Sequence, residues 1–293
     1  MQRCLAFLAA LFLTTLSVAS ACTAASSEWI GFTLESARED GGRLRASFRD
    51  DDHSRGRGND RWSSDFPVSE FVGLDVTGFR APGSHPLRFA IVREAGRLDC
   101  AGEGGNAYAR GNCGFTPNAG FLALLDSRGI GRPSRNEQFA LMAVNTRRAL
   151  IDALAAARYP TPRIDDLIAA TAVGVTADYI QQLAAHGYRP KSIDGLVQFR
   201  ALDITPEYVG AFARIGYRNM APDDLIQLKA LGVTPDYITS FERIGYRDLS
   251  IDQLVQLKAL NITPEFVRAV EQRPGELPPI EQLAVLQSLQ RRR

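Results

Sequence analysis

The sequence predicts an α+β protein: a small N-terminal all-β domain followed by an α-solenoid of two-helix repeats. Three observations predict it. Near-identical strings return every 29 residues through the C-terminal half, as "LKALGVTPDYI" (Leu228–Ile238) does in "LKALNITPEFV" (Leu257–Val267). Each copy carries two sets of helix-start and helix-stop residues. Upstream, short apolar runs alternate with Gly, Asp and Pro clusters, which is the texture of strands.

A chain of 293 residues with 45% hydrophobic and 23% charged residues has the composition of a globular protein and room for two domains. Thirty-four Lys and Arg against 33 Asp and Glu leave no overall field, so a nucleic-acid partner is not expected.

The opening "MQRCLAFLAALFLTTLSVASAC" has one cation, Arg3, an apolar run to Leu16 and an Ala19-Ser20-Ala21 ending. That is the pattern of a cleaved export signal over residues 1–21, followed by a linker over 22–26. No later apolar run approaches the roughly 20 residues of a membrane span. The expectation is an exported, periplasmic protein. Removal of the signal leaves Cys22, Cys100 and Cys113, an odd number for an oxidising compartment. "ASAC" resembles the lipobox of bacterial lipoproteins, with Ala19 where Leu is usual. Two readings stay open: lipid attachment at Cys22, which anchors the protein and leaves Cys100 and Cys113 as a natural pair, or ordinary cleavage with Cys22 free or trimmed away.

Residues 27–116 read as the β-rich domain. "WIGFTLES", "GRLRASF", "LRFAIV" and "GRLDCAG" are its strand signals. "LDCAGEGGNAYARGNCGF" reads as two strands joined by a Gly-rich turn, which sets Cys100 across from Cys113 as a disulfide. Between strands, "RDDDHSRGRGNDRW" (Arg49–Trp62) crowds Asp50, Asp51, Asp52, Asn59 and Asp60 together, but Arg55, Arg57 and Arg61 compete for those carboxylates and no EF-hand spacing is present. It reads as a solvated loop. His53, His85 and His186 lie apart, without metal-ligand spacing, and there is no G-x-S-x-G elbow or P-loop. No metal, cofactor or catalytic constellation is expected.

Helices should begin near Pro117, with Thr116 as a cap and Gly129 as a stop, so residues 117–293 form the helical domain. Gly174, Asp203, Gly232 and Asn261 align at the 29-residue period, as do Leu167, Leu196, Leu225, Leu254 and Leu283, and Tyr159, Tyr188, Tyr217 and Tyr246. A weaker copy starts near Pro133. In the clearest unit, Pro222 opens the first helix and Gly232 closes it. Thr234, one of an unbroken column with Thr176, Thr205 and Thr263, caps the second, which Gly245 closes in the left-handed conformation. Val233 and Ile238 have hydrophobic-staple spacing about that cap. Helices of about ten residues are marginal alone in water. Leu225, Leu228 and Leu231 on one helix and Tyr237, Ile238, Phe241 and Ile244 on the other must be buried by neighbouring units.

Three polar columns are candidate partner-binding residues: Gln198, Gln227 and Gln256; Arg200, Lys229 and Lys258; and Arg189, Arg218 and Arg247. The cations also sit where a helix C-terminus attracts them, so helix electrostatics competes with partner recognition as their explanation.

The string "GYRDLSIDQLVQLKALNITPEFV" (Gly245–Val267) and its sister copies resemble the 29-residue helical repeats of uncharacterised exported bacterial proteins. Similar repeats trail some membrane metallopeptidases of the β-lactam-sensor kind. "WSSDFPVSEFVGL" (Trp62–Leu74) and "FAIVREAGRLDCAGEGG" (Phe89–Gly105) look like the β-rich segment that precedes them. The H-E-x-x-H of those peptidases is missing, so the resemblance implies no proteolysis; it implies an extracytoplasmic sensing or interaction part. The favoured reading is a non-enzymatic scaffold that binds another protein or peptide in the cell envelope. The alternative is an envelope enzyme or sensory accessory, with a site in the β domain or the interdomain cleft.

Overall fold

Six strands form one antiparallel sheet: β1 (Ile30–Ser36), β2 (Arg43–Asp50), β3 (Arg61–Pro67), β4 (His85–Arg93), β5 (Gly96–Gly105) and β6 (Tyr108–Pro117), in the spatial order β3-β2-β1-β6-β5-β4. The computed structural model describes residues 30–36, 42–50, 61–271 and 277–290. The export signal, Cys22, His53 and the acidic positions Asp51, Asp52, Asn59 and Asp60 lie outside the described residues.

Alternation decides the faces of the sheet. Ile30, Phe32 and Leu34 on β1 and Leu44, Ala46 and Phe48 on β2 are buried, while the residues between them point to solvent. Phe32, Phe89, Phe71, Phe66, Trp62 and Phe48 form a continuous aromatic chain beneath the sheet, with successive ring centroids 5.1 to 5.8 Å apart. Cys100 stands directly opposite Cys113 in the β5–β6 register, and the two are joined with S–S 2.00 Å. The hairpin turns at Asn106-Ala107, both left-handed (φ 55° and 61°), the conformation that a two-residue type I′ turn demands.

The loop read over Arg49–Trp62 is shorter at both ends, since Arg49 and Asp50 belong to β2 and Arg61 opens β3. Its string "RWSSDFP" shows little apolar alternation because it is an edge strand, and Arg61 and Trp62 belong to it rather than to the acidic loop. Likewise the glycines of "GEGGNAYARG" are mostly strand residues. A Cβ on Gly102 would stand 2.1 Å from the Arg110 carbonyl oxygen, and one on Gly111 would stand 2.2 Å from that of Ala101, so only glycine allows these backbones to approach.

A short helix, α1 (Val76–Arg80), packs on the sheet, and from Ala119 onward the chain is helical. The helices fall into two sets. In the first, α3 (Arg135–Ala143), α5 (Ile164–Ala172), α7 (Ile193–Ala201), α9 (Pro222–Ala230), α11 (Ile251–Ala259) and α13 (Ile280–Gln290) each pack on the next. The second comprises α2 (Ala119–Ser127), α4 (Arg148–Ala156), α6 (Ala177–Ala185), α8 (Pro206–Arg214), α10 (Pro235–Glu242) and α12 (Pro264–Val270); within it α4 packs on α6 and α6 on α8.

The period is written in the backbone. Asn145, Gly174, Asp203, Gly232 and Asn261, which follow the first-set helices, all have positive φ, between 53° and 82°. Gly129, Arg158, Gly187, Gly216 and Gly245 do so after the second-set helices, at 57° to 109°. The residue after each first-set closure donates its N–H five residues back, as Val233 does to the Leu228 carbonyl at 2.8 Å, which satisfies an otherwise orphaned helix-end acceptor. Asn and Asp replace Gly in one column because both tolerate the left-handed region.

The Thr side chains at 176, 205, 234 and 263 cap their helices, each accepting from the N–H three residues on. Asn118, rather than Thr116, caps α2, since Thr116 and Pro117 still belong to β6. With Asn118 in the cap column and Gly129 in the closure column, the periodic backbone starts one helix earlier than the copy near Pro133. The leucines at 167, 196, 225, 254 and 283 are all fully buried.

The β4–β5 turn grips the helices. Arg93, whose side chain is only 7% exposed, pairs with Glu70 at 2.7 Å, lies over the Phe66 ring, and donates to the Met142 and Ala143 carbonyls at the end of α3. Its neighbour Glu94 accepts from the Arg148 N–H at 2.7 Å, supplying at the start of α4 the cap that Arg147 does not make. A cation at a helix C-terminus and a carboxylate at an N-terminus each complement the helix dipole. Phe115 meets Phe139 edge-on at 5.7 Å, and one connected core runs from Ile30 to Leu283.

Replacing Arg93 with Met leaves the Glu70 carboxylate and the α3 carbonyls unpaired, which should destabilise the fold by about 2 to 4 kcal/mol in urea unfolding. Arg45→Met, at an exposed pair with Asp65, should leave the midpoint unchanged.

Candidate functional site

The surface of the helical array is shaped by tyrosines that tie one unit to the next. The Tyr179, Tyr208 and Tyr237 hydroxyls donate to the carbonyls of Ile204, Val233 and Ile262, each 25 residues on, at 2.7 to 3.1 Å. The "GY" tyrosines make a second set. Tyr188 accepts from the Met220 N–H, while Tyr217 and Tyr246 donate to the carbonyls of Leu249 and Pro278. Phe266 ends the first column without a hydroxyl.

These rings account for most of the basic residues singled out from the sequence. Arg200, Lys229 and Lys258 lie over Tyr179, Tyr208 and Tyr237, with the cation 5.6, 4.7 and 4.6 Å from the ring centroid. Arg200 also donates to the Gly174 carbonyl and, with Lys229, meets Asp203. Arg189 covers Tyr159 at 5.0 Å and donates to the carbonyl of Arg158, fastening a left-handed residue that is not glycine. Arg218 donates within its own turn to the Ala213 carbonyl at 3.4 Å, and Arg247 is exposed. The sequence signal was available, since each covering cation follows its first-column ring by 21 residues.

The glutamines stand apart from this network. Gln198 and Gln227 are exposed and Gln256 is half-buried, on successive helices α7, α9 and α11. None of the three side chains makes a hydrogen bond among the described residues. Four positions earlier, on the same face of each helix, stand the exposed carboxylates of Asp194, Asp223 and Asp252. The structure therefore divides the three polar columns: one set of cations folds back onto rings, and the amides face outward.

The cleft between the sheet edge and the helices, about 390 Å³, is lined by Ser63, Ser64 and Asp65 on β3, by Glu70 and Arg93, and by the ends of α3 and α5. Its charged groups are committed: Arg93 to Glu70, Asp65 to Arg45, and Arg43 to the Asp65 carbonyl. No group of three or more His, Cys, Asp or Glu poised for a metal occurs among the described residues, and no helix there is long and apolar enough to cross a membrane. Comparison with family models, with curated proteins and with solved structures finds no match.

Burial is the main cause of the raised tyrosine pKa values: Tyr159 and Tyr217 are pushed up to about 12, and Tyr179, Tyr208 and Tyr237 rise further. The folded protein holds these protons more tightly than the unfolded chain, whose tyrosines ionise near pH 10. Stability should therefore be full below about pH 10 and fall as the pH climbs toward about 12. In a Tyr108→Phe, Tyr188→Phe background, phenolate absorbance should appear together with the loss of helical circular dichroism. Phenolate forming while the helices persist would contradict the buried ladder.

Proposed function

We propose that the chain is a non-enzymatic extracytoplasmic interaction module, whose helices form an α-solenoid that binds another protein or a peptide of the cell envelope. The observation that carries this reading is the Gln198, Gln227 and Gln256 column, three amides on successive helices with no hydrogen-bond partner among the described residues.

Each amide offers a carbonyl acceptor and two N–H donors, the complement of a peptide backbone group. Stacked helices lie about 8 to 10 Å apart, so the column forms a ruler along which a partner can be read one unit at a time. Withdrawal of Arg200, Lys229 and Lys258 onto tyrosine rings leaves the amides and the neighbouring carboxylates as the polar groups of that face. Export to the periplasm, with or without lipid at Cys22, follows from the signal pattern at the N-terminus. An intact mass of the mature protein reads the anchor directly, since lipidation adds an acyl increment at Cys22.

The test is crosslinking in cells followed by mass spectrometry, with the wild type and a Gln198→Ala, Gln227→Ala, Gln256→Ala triple variant. A specific protein or peptide should crosslink along α7, α9 and α11, and the triple variant should lose it while keeping the wild-type melting temperature. Unchanged capture by a stable triple variant would remove the column from the binding surface. Turnover of an envelope substrate with no specific partner recovered would overturn the reading.

A further inference from the structure

We infer that the solvent face of the sheet is a binding site for a small carboxylate-bearing ligand, with Arg110 as its anion-holding group and with Thr33, Ser47 and Asn112 as polar contacts. This inference is independent of the helical surface.

The strand registers assemble the site. Ser47 on β2 faces Thr33 on β1, Thr33 faces Arg110 on β6, and Arg110 faces Glu103 on β5, so four strands contribute to one row across the solvent face. The next row along runs from Arg49 through Gly31 to Asn112. The middle of the face is therefore made of glycine and small hydroxyl residues, with longer polar side chains around it. The result is a cleft of about 570 Å³, within the roughly 300 to 1,000 Å³ of small-molecule sites.

The charged side chains that line the cleft are Arg49, Arg110 and Glu103, an excess of one cation that favours an anionic ligand. Arg45 is forked onto Asp65 at 2.7 and 3.1 Å, and Arg97 is forked onto Asp99. Glu103 accepts from the Ser84 hydroxyl at 3.0 Å. Arg110 makes no ion pair among the described residues. Its planar fork matches a carboxylate bidentately. Asn112 and the two hydroxyls can donate to the rest of the ligand, and Glu103 can accept from a hydroxyl or N–H beside the carboxylate. Tyr108, 46% exposed at the rim, offers a ring face. A carboxylate with an adjacent hydrogen-bond donor is shared by a sugar acid and by the C-terminus of a short peptide.

Isothermal titration of the full chain with D-glucuronate, with N-acetyl-alanyl-alanine, and with the methyl ester of each separates these sources. At least one acid should bind saturably, and which one names the source. Its ester should bind roughly ten- to hundredfold more weakly, the loss expected for a charge-assisted fork. Arg110→Gln should lose affinity for the acid by the same factor at an unchanged melting temperature, while Arg97→Gln should bind as the wild type does. Saturable binding of neither acid, equal affinity for acid and ester, or full affinity in Arg110→Gln would overturn the assignment.

Discussion

The whole helical half depends on coupling between units that cannot hold themselves. A 29-residue unit presents two helices, each too short to persist in water, so contacts that reach into the next unit are needed to hold it. The leucine column supplies non-directional burial. The tyrosine hydroxyls supply direction, because a donor aimed at a carbonyl 25 residues away bonds well only if the neighbouring unit sits at one height and one rotation. A cation then lies over each of these rings. Burial without the hydroxyl would leave neighbouring units free to slide; the hydroxyl without burial would be exchanged for water at little net gain.

The sheet joins this array by the same electrostatic logic that caps a helix. Arg93 and Glu94 are adjacent at one tight turn, and they meet the end of α3 and the start of α4 respectively. The last residue of β4 and the first of the turn, of opposite charge, thus meet two helix termini at once, and Phe115 contacts Phe139 edge-on nearby. The Cys100–Cys113 bridge lies on β5 and β6, the strands on which α3 packs. It closes a loop of 13 residues, worth about 3 kcal/mol on the chain-entropy account, in the part of a small sheet that bears the helices.

What was legible in the sequence was whatever is local or periodic. The Thr caps, the left-handed Gly, Asn and Asp column and the buried leucines each follow from one residue's own chemistry repeated at a fixed spacing, and the two cysteines announced their pairing by the strands around them. Less visible were features set by a distant partner. β3 is a polar edge strand whose identity comes from pairing with β2. α2 shares the backbone period without sharing the repeat's side chains, because Asn118 stands where later units have Arg or Thr. The cleft on the solvent face was invisible for a further reason: it is made of residues from four strands that are brought together only by the register.

The cations show that a column of aligned residues can have more than one cause. Aligned Arg and Lys on stacked helices look like a surface offered to a partner, and helix dipoles explain their position without one. The structure adds a third account, in which the tyrosine ring of the preceding unit takes the cation. The first-column hydroxyls end at Phe266, and the next position of the basic column is Gln287. That residue donates to the Leu260 carbonyl rather than standing over a tyrosine. Internal contacts with rings thus account for the position of these cations alongside helix electrostatics. The amides of Gln198, Gln227 and Gln256, by contrast, make no hydrogen bond among the described residues, so neither helix dipoles nor rings account for their column.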